Sequence, residues 1–273
     1  MLLATMALPP PQSGSTALIT GASSGIGEEF ARQLAARGHG VFLVARREER
    51  LRALADDLER LHGIRAEVAT ANLEDSAEVE ALPGRVAERG LDVEILVNNA
   101  GFTTVGDVHA NPDRQLGMVR VNCEALVALT SAWLPGMVER GRGAVIQVAS
   151  VASFQPIPVQ AVYAATKAFV RSFSEAVSAE LRGTGVTMTA LCPGPVSTEF
   201  LEAGGFKKEH PGPSFLWSSA EDVARAGIEG ADKGKRVVIP GIGNRGSAFF
   251  GRHGPQSIVL GPFANAYRRV IGE

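Results

Sequence analysis

Residues 15–37 read S-T-A-L-I-T-G-A-S-S-G-I-G-E-E-F-A-R-Q-L-A-A-R: an apolar run from Ser15 to Thr20, a glycine-rich turn from Gly21 to Gly27, and an amphipathic segment from Glu28 to Arg37. The order predicts strand, tight turn, helix. Glycine lets the backbone bend sharply and approach a pyrophosphate, whose charge then meets free N–H groups and the positive end of a helix dipole. Gly21, Ser23, Ser24, Gly25, Ile26 and Gly27 are therefore candidate phosphate-binding residues, with a plain βα turn as the structural alternative.

The next strand, Gly40 to Ala45, ends where an acidic residue would hydrogen-bond the adenosine ribose of NAD. Ala45, Arg46 and Arg47 stand there instead. With no carboxylate to repel a 2′-phosphate and a guanidinium to grip it, the pattern predicts NADP(H) in preference to NAD(H). The alternative is that the two arginines merely open the charged helix Glu48 to Leu61.

Strands and helices keep alternating. Ala66 to Ala71 reads as a strand followed by Asn72-Leu73, Ser76 to Arg89 as a helix, and Val93 to Val97 as a strand ending in Asn98-Asn99-Ala100-Gly101. Arg114 to Glu139 reads as one long helix carrying Asn122, and the strand Ala144 to Ala149 delivers Ser150. A helix from Ala161 to Leu181, a strand from Val186 to Leu191, a helix opened by Ser219 and a strand from Val237 to Ile239 complete the pattern. Such alternation predicts an α/β fold, a single doubly wound (Rossmann) domain whose parallel sheet has about seven strands and helices on both faces. Ligands in such sheets bind at the carboxyl ends of the strands, which draws in Asn72, Leu73, Asn99, Ala100 and Gly101 as cofactor-contacting residues. Asn98 reads better as a tie between neighbouring strands.

The loop Cys192-Pro193-Gly194-Pro195-Val196-Ser197-Thr198 is stiffened by proline on both sides of glycine, as a connector or a cofactor clamp. Residues 199–218, with Phe200, Phe206, Phe215 and Trp217, suggest a lid with an apolar inner face within the domain spanning 15–240, with a plain surface excursion as the alternative. Residues 1–14 read as a flexible lead-in, and 241–273, with Arg245, Arg252, Arg268 and Arg269 among Phe249, Phe250 and Phe263, as a tail of unassigned role, for which packing on another subunit is favoured over contact with a membrane surface.

The 273 residues carry a net charge of -2, so neither nucleic acid nor a membrane is an expected partner. Two cysteines far apart in apolar surroundings suggest reduced thiols and a cytoplasmic protein with no metal site. No apolar run stands out as a transmembrane helix.

Tyr163 and Lys167 lie i, i+4 on the helix that follows Ser150, so the phenol and the amine share a face. A neighbouring ammonium favours the phenolate and lowers a tyrosine pKa from about 10 towards neutrality, as a general acid/base requires. Alone, the pair is also what an ordinary amphipathic helix shows.

Together Thr20-Gly-x-x-x-Gly-x-Gly27, Asn98-Asn-Ala-Gly101, Asn122, Ser150, Tyr163-x-x-x-Lys167 and Pro193-Gly194 resemble the classical short-chain dehydrogenase/reductases. The resemblance implies that Tyr163 is the general acid/base, that Ser150 hydrogen-bonds the substrate oxygen, that Lys167 tunes Tyr163 and holds the nicotinamide ribose, and that Asn122 anchors a relay water. It also implies that Val196 and Thr198 hold the nicotinamide carboxamide. Asn72 departs from the family's usual Asp, and Ser24 stands where many NADP-dependent members carry Lys or Arg, which leaves Arg46 to hold the phosphate. The expected activity is hydride transfer between NADP(H) and a hydrophobic ketone, aldehyde or secondary alcohol, in a pocket of Phe102, Phe154, Ile157, Phe200, Phe206 and Trp217 with no Arg or Lys placed to fix a carboxylate. The family also implies a homodimer or homotetramer built on the helices of Asn122 and Tyr163. A non-catalytic NADP(H) sensor is the competing reading, and a sugar-nucleotide epimerase is disfavoured by the glycine spacing.

Overall fold

The computed structural model describes residues 8–206 and 214–255. Its sheet is entirely parallel and seven-stranded, in the order β3-β2-β1-β4-β5-β6-β7. The strands are β1 (Ser15–Thr20), β2 (Gly40–Ala45), β3 (Ala66–Thr70), β4 (Asp92–Asn98), β5 (Gly143–Val148), β6 (Val186–Leu191) and β7 (Val237–Val238). β1, β5 and β6 are buried along their whole length, as expected where helices cover both faces. Alternating side chains feed two cores. Ala17, Ile19 and Leu43 pack with Phe30, Leu34, Leu58 and Ile228, whereas Leu18, Phe42 and Leu96 pack with Leu82, Leu129 and Val177. The first core is covered by α1 (Gly25–Ala36), α2 (Glu48–His62) and α8 (Ala220–Asp232), the second by α3 (Ser76–Ala87), α5 (Leu126–Glu139) and α6 (Ala161–Glu180). Strand order reverses between β1 and β4, which opens a crevice at their carboxyl ends.

Three features differ from the sequence expectation. First, α1 begins at Gly25 and not Glu28, so the last two glycines of the turn form the helix's first turn and present its N–H groups. Second, the predicted long helix is α4 (Pro112–Val119), a π-helical turn (Arg120–Ala125) and α5. Asn122 sits in the π turn, and periodicity alone cannot distinguish i+4 from i+5 bonding. By length and composition 112–139 would reach across a bilayer, against the expectation from sequence, but its Met118, Leu126, Leu129 and Met137 are buried against the rest of the molecule. Third, the unassigned tail begins with a helix, α9 (Ile242–His253), packed on the 3₁₀ turn Val151–Phe154. The first seven residues, Lys207 to Pro213 of the expected lid, and 256–273 with Phe263, Arg268 and Arg269 lie outside the described residues. Asn98 of β4 donates to Thr130 Oγ1 at 3.2 Å and Gln147 of β5 donates to the same oxygen at 2.8 Å, so the two neighbouring strands are tied through α5.

Candidate active site

The glycine turn is shaped for close approach. Gly21 and Gly25 hold φ of 68° and 59°, where a side chain is strained. A Cβ on Gly27 would stand 2.3 Å from the carbonyl oxygen of Gly21. The turn is braced from β4: Asn99 Nδ2 donates to the Thr20 carbonyl at 2.9 Å, and the amides of Asn99 and Ala100 both donate to Thr20 Oγ1 at 3.0 Å. Sequence reading passed over this role of Thr20, whose only signal was its place at the strand end.

At the end of β2 the two arginines part. Arg46 is 70% exposed with its nearest carboxylate, Glu74, at 3.9 Å. Arg47 turns onto the glycine turn, donating to Ser23 Oγ at 3.0 Å and Ser24 Oγ at 2.7 Å. Its Nη1 also meets Glu199 Oε2 at 2.6 Å, and Arg50 Nη1 meets the same carboxylate at 2.8 Å. Hydrogen bonds from Arg47 and Arg50 hold the Glu199 carboxyl below its ordinary pKa. Glu199 opens the short helix α7 (Glu199–Ala203) directly after Thr198, whose Cγ2 would stand 3.0 Å from a Cβ on Gly25.

The proton-handling residues converge at the ends of β5 and α6. Ser150 lies two residues past β5, and its Oγ accepts from the Ala152 amide at 3.1 Å. With a lone pair so engaged, its O–H is left to donate. Lys167 is 4% exposed; Nζ donates to the Val148 carbonyl at 2.8 Å and lies 5.9 Å from the centre of the Tyr163 ring. Burial pulls the Lys167 pKa down to about 8. The Tyr163 ring is 6.0 Å from that of Phe200. Asn122 stands behind: Oδ1 accepts from Phe102 N, and Nδ2 donates to Phe102 O and Thr166 Oγ1, each at 3.1 Å. Asn72 Oδ1 caps the Glu74 amide at 3.2 Å.

Ser150, Tyr163, Lys167, the two arginines at the end of β2 and most of the glycine turn open on one cavity of about 710 Å³. Every predicted site residue lines it except Gly27 and Asn122, which sit one layer back. Pro193, Gly194 and Val196 form a wall, and Gly194 is pressed against Asn244 of α9, where a Cβ would stand 2.3 Å from Oδ1. Phe102, Ile157, Phe200, Phe206 and Trp217 line the rest. Phe154 does not: it joins the cluster of Val170 and Cys192, with Arg171 stacked 4.6 Å over its ring. Arg114, stacked 4.4 Å over the Phe102 ring, also lines the cavity, where the sequence pointed to no Arg or Lys placed to fix a carboxylate. Both cysteines are free, and burial pushes Cys123 up to about 11 and Cys192 up to about 12. A cradle closed to Cβ atoms, with helix N–H groups and Arg47 beside it, fits a dinucleotide pyrophosphate.

Residues 15–207 match the family model described as short chain dehydrogenase. A short chain dehydrogenase of Pseudocercospora fijiensis is 41% identical over 189 residues, 68% of this chain and 61% of that protein, so the match spans about three fifths of that relative. The NADP-dependent 3-hydroxy acid dehydrogenase YdfG of Salmonella typhi is 40% identical over 186 residues, 67% of this chain and 73% of that protein. Among solved structures, a short-chain dehydrogenase from Sphingobium yanoikuyae in complex with NADPH superposes with a TM-score of 0.79 at 33% identity, covering 90% of this chain and 95% of that one.

Proposed function

This chain belongs to the short-chain dehydrogenase family, and from that premise we propose that it is an NADP(H)-dependent oxidoreductase interconverting an apolar ketone or aldehyde and its alcohol. The observation that carries the reading is the convergence of Ser150, Tyr163 and Lys167 on the cavity that the glycine turn also lines. When bound, the dinucleotide supplies the hydride for reduction or accepts it in oxidation. Gly21 to Gly27 cradle the pyrophosphate, with Arg47 and Arg46 beside the 2′-phosphate and Asn72, Leu73 and Asn99 to Gly101 along the adenosine. Pro193, Gly194, Val196 and Thr198 orient the nicotinamide end.

At the substrate, Ser150 donates its hydroxyl proton in a hydrogen bond to the carbonyl oxygen, with Oγ held in position by the bond it accepts from the Ala152 amide. Tyr163 then protonates that oxygen as it gains charge, and takes the proton back in the reverse direction. The Lys167 ammonium favours the tyrosinate left behind, and Asn122 holds the relay behind it. The aromatic wall selects an apolar substrate; Arg114 is the one lining cation, among the described residues, outside the arginines at the end of β2 and Lys167. Exposed Leu116, Val119 and Phe169 on α4 and α6 support a homo-oligomer formed through those helices, and the two free thiols accord with the cytoplasm.

The test is a carbonyl-compound screen following NADPH absorbance, with Tyr163→Phe as control. Apolar ketones should be reduced, and the variant should bind NADPH yet lose turnover. Turnover of small keto acids alone, abolished by Arg114→Ala, would overturn the apolar assignment. NADPH binding with no turnover of any carbonyl would favour a sensor.

A further inference from the structure

We infer that the outer face of α9 docks on an anionic lipid surface. Helical spacing turns Asn244 and Ala248 inward, where they are 1% and 3% exposed, and leaves Ile242, Phe249 and Phe250 outward at 86%, 69% and 49%. Phe215, 69% exposed, continues the patch, since its ring lies 2.7 Å from where a Cβ on Gly243 would stand. Single exposed apolar residues are ordinary, but four large ones on one ridge are a patch in need of a partner. Arg245, Arg252 and His253 rim it, and α9 contains no acidic residue.

Charge decides which partner the patch fits. Among the described residues, 241–255 carry Arg245 and Arg252 and no acidic residue, although the whole chain is at -2. A two-fold contact between copies would set this basic rim against itself. An acidic phospholipid surface meets it with opposite charge, takes the aromatic and Ile242 side chains into the acyl boundary and leaves the guanidinium groups among the headgroups. Net charge over the whole chain predicts no membrane partner, whereas a lipid surface meets only the local charge of this segment. Leu216, Asn244 and Ser247 of the cavity lining come from the same two segments, so docking sets the cavity beside the lipid.

The experiment is co-sedimentation of the full chain with vesicles of phosphatidylcholine plus phosphatidylglycerol and with vesicles of phosphatidylcholine alone, and it does not depend on catalysis. The protein should pellet with the mixed vesicles, less so as salt rises, and little with phosphatidylcholine. Phe249→Ser/Phe250→Ser should weaken binding at least about tenfold, and Arg245→Gln/Arg252→Gln about fivefold for each charge removed, both with an unchanged thermal midpoint and sedimentation coefficient. No binding to the mixed vesicles by the unaltered chain overturns the proposal, as does undiminished binding by both variants. A smaller species in sedimentation velocity for Phe249→Ser/Phe250→Ser would also overturn it, assigning the face to a second copy.

Discussion

Lys167 Nζ donates to the carbonyl oxygen of Val148 at 2.8 Å, so the amine facing Tyr163 is tethered to the last residue of β5. The strand that delivers Ser150 therefore also fixes the height of the ammonium beneath the phenol. Only 4% of the residue is exposed, and holding a cation there opposes folding.

That opposition predicts a pH signature in the protein without cofactor. The Lys167 pKa falls from 10.5 to about 8, so between these values the unfolded chain binds more protons and stability rises with pH. The contribution is complete above 10.5 and is lost as pH falls through about 8. Lys167→Met removes the titration, so its stability relative to the parent should drop by about 3 kcal/mol across that window, at 1.36 kcal/mol per pKa unit. Urea unfolding at a series of pH values measures the slope, whatever fixed penalty follows from stranding the Val148 carbonyl. Parallel curves for the two proteins would show that burial does not lower the Lys167 pKa, the amine taking up its proton in the fold as readily as in the unfolded chain.

How far the sequence carried can be judged from individual residues. The sheet and its turn were legible because β1, β5 and β6 are short segments rich in apolar residues and glycine marks the phosphate cradle locally. Ser150, Tyr163 and Lys167 were legible because i, i+4 spacing and a strand end fix direction without knowledge of the fold. The π turn at Asn122 was not, since one residue of extra pitch leaves the apolar pattern almost unchanged. Neither was α9, whose Gly243, Gly246 and Gly251 argue against a helix that packing on Gln155 and Gly194 stabilises. Arg46 and Arg47 are adjacent in sequence, and only the position of Ser23 and Ser24 across the turn separates their directions.

The last point makes cofactor selection a test of geometry. Arg47 reaches the turn, and Glu199 competes with a 2′-phosphate for it. Loss of one charge-assisted contact corresponds to about 1.5–3 kcal/mol, so Arg47→Ala should raise the Kd for NADPH roughly 10–100-fold and leave NADH binding little changed. Glu199→Gln should strengthen NADPH binding several-fold at low salt. If Arg46→Ala abolishes the preference and Arg47→Ala does not, the phosphate sits further out along the rim.

Gly27→Ala tests the cradle itself. The new Cβ would lie 2.3 Å from a backbone oxygen that cannot swing away, so the turn must move. Overpacking of this kind costs about 1–3 kcal/mol, and dinucleotide affinity should fall by more than tenfold as the Gly21 carbonyl shifts. Calorimetric titration with NADP+ alongside a thermal melt separates the two effects. Unchanged affinity would place the pyrophosphate elsewhere.

Asn122 and Thr166 test whether the π turn supports the chemistry at a distance. Asn122 clamps the Phe102 backbone with both ends of its amide and spends its remaining donor on Thr166 Oγ1, which in turn donates to the Tyr163 carbonyl at 2.8 Å. The amide thus fixes Gly101, on the cavity wall, relative to the helix that carries Tyr163 and Lys167. Asn122→Ala strips two part-buried backbone groups of their partner and should cost about 1–3 kcal/mol in stability. Thr166→Val removes one bond of the network and should cost about 1 kcal/mol. If the two act through one network, the double variant should be less damaged than the sum by about 0.5–1 kcal/mol. In kinetics a positioning role predicts a fall in kcat for both variants at little change in the KM for NADPH, because neither side chain touches the phosphate cradle. Additive losses in stability together with a raised KM alone would mean that Asn122 supports only the cofactor wall.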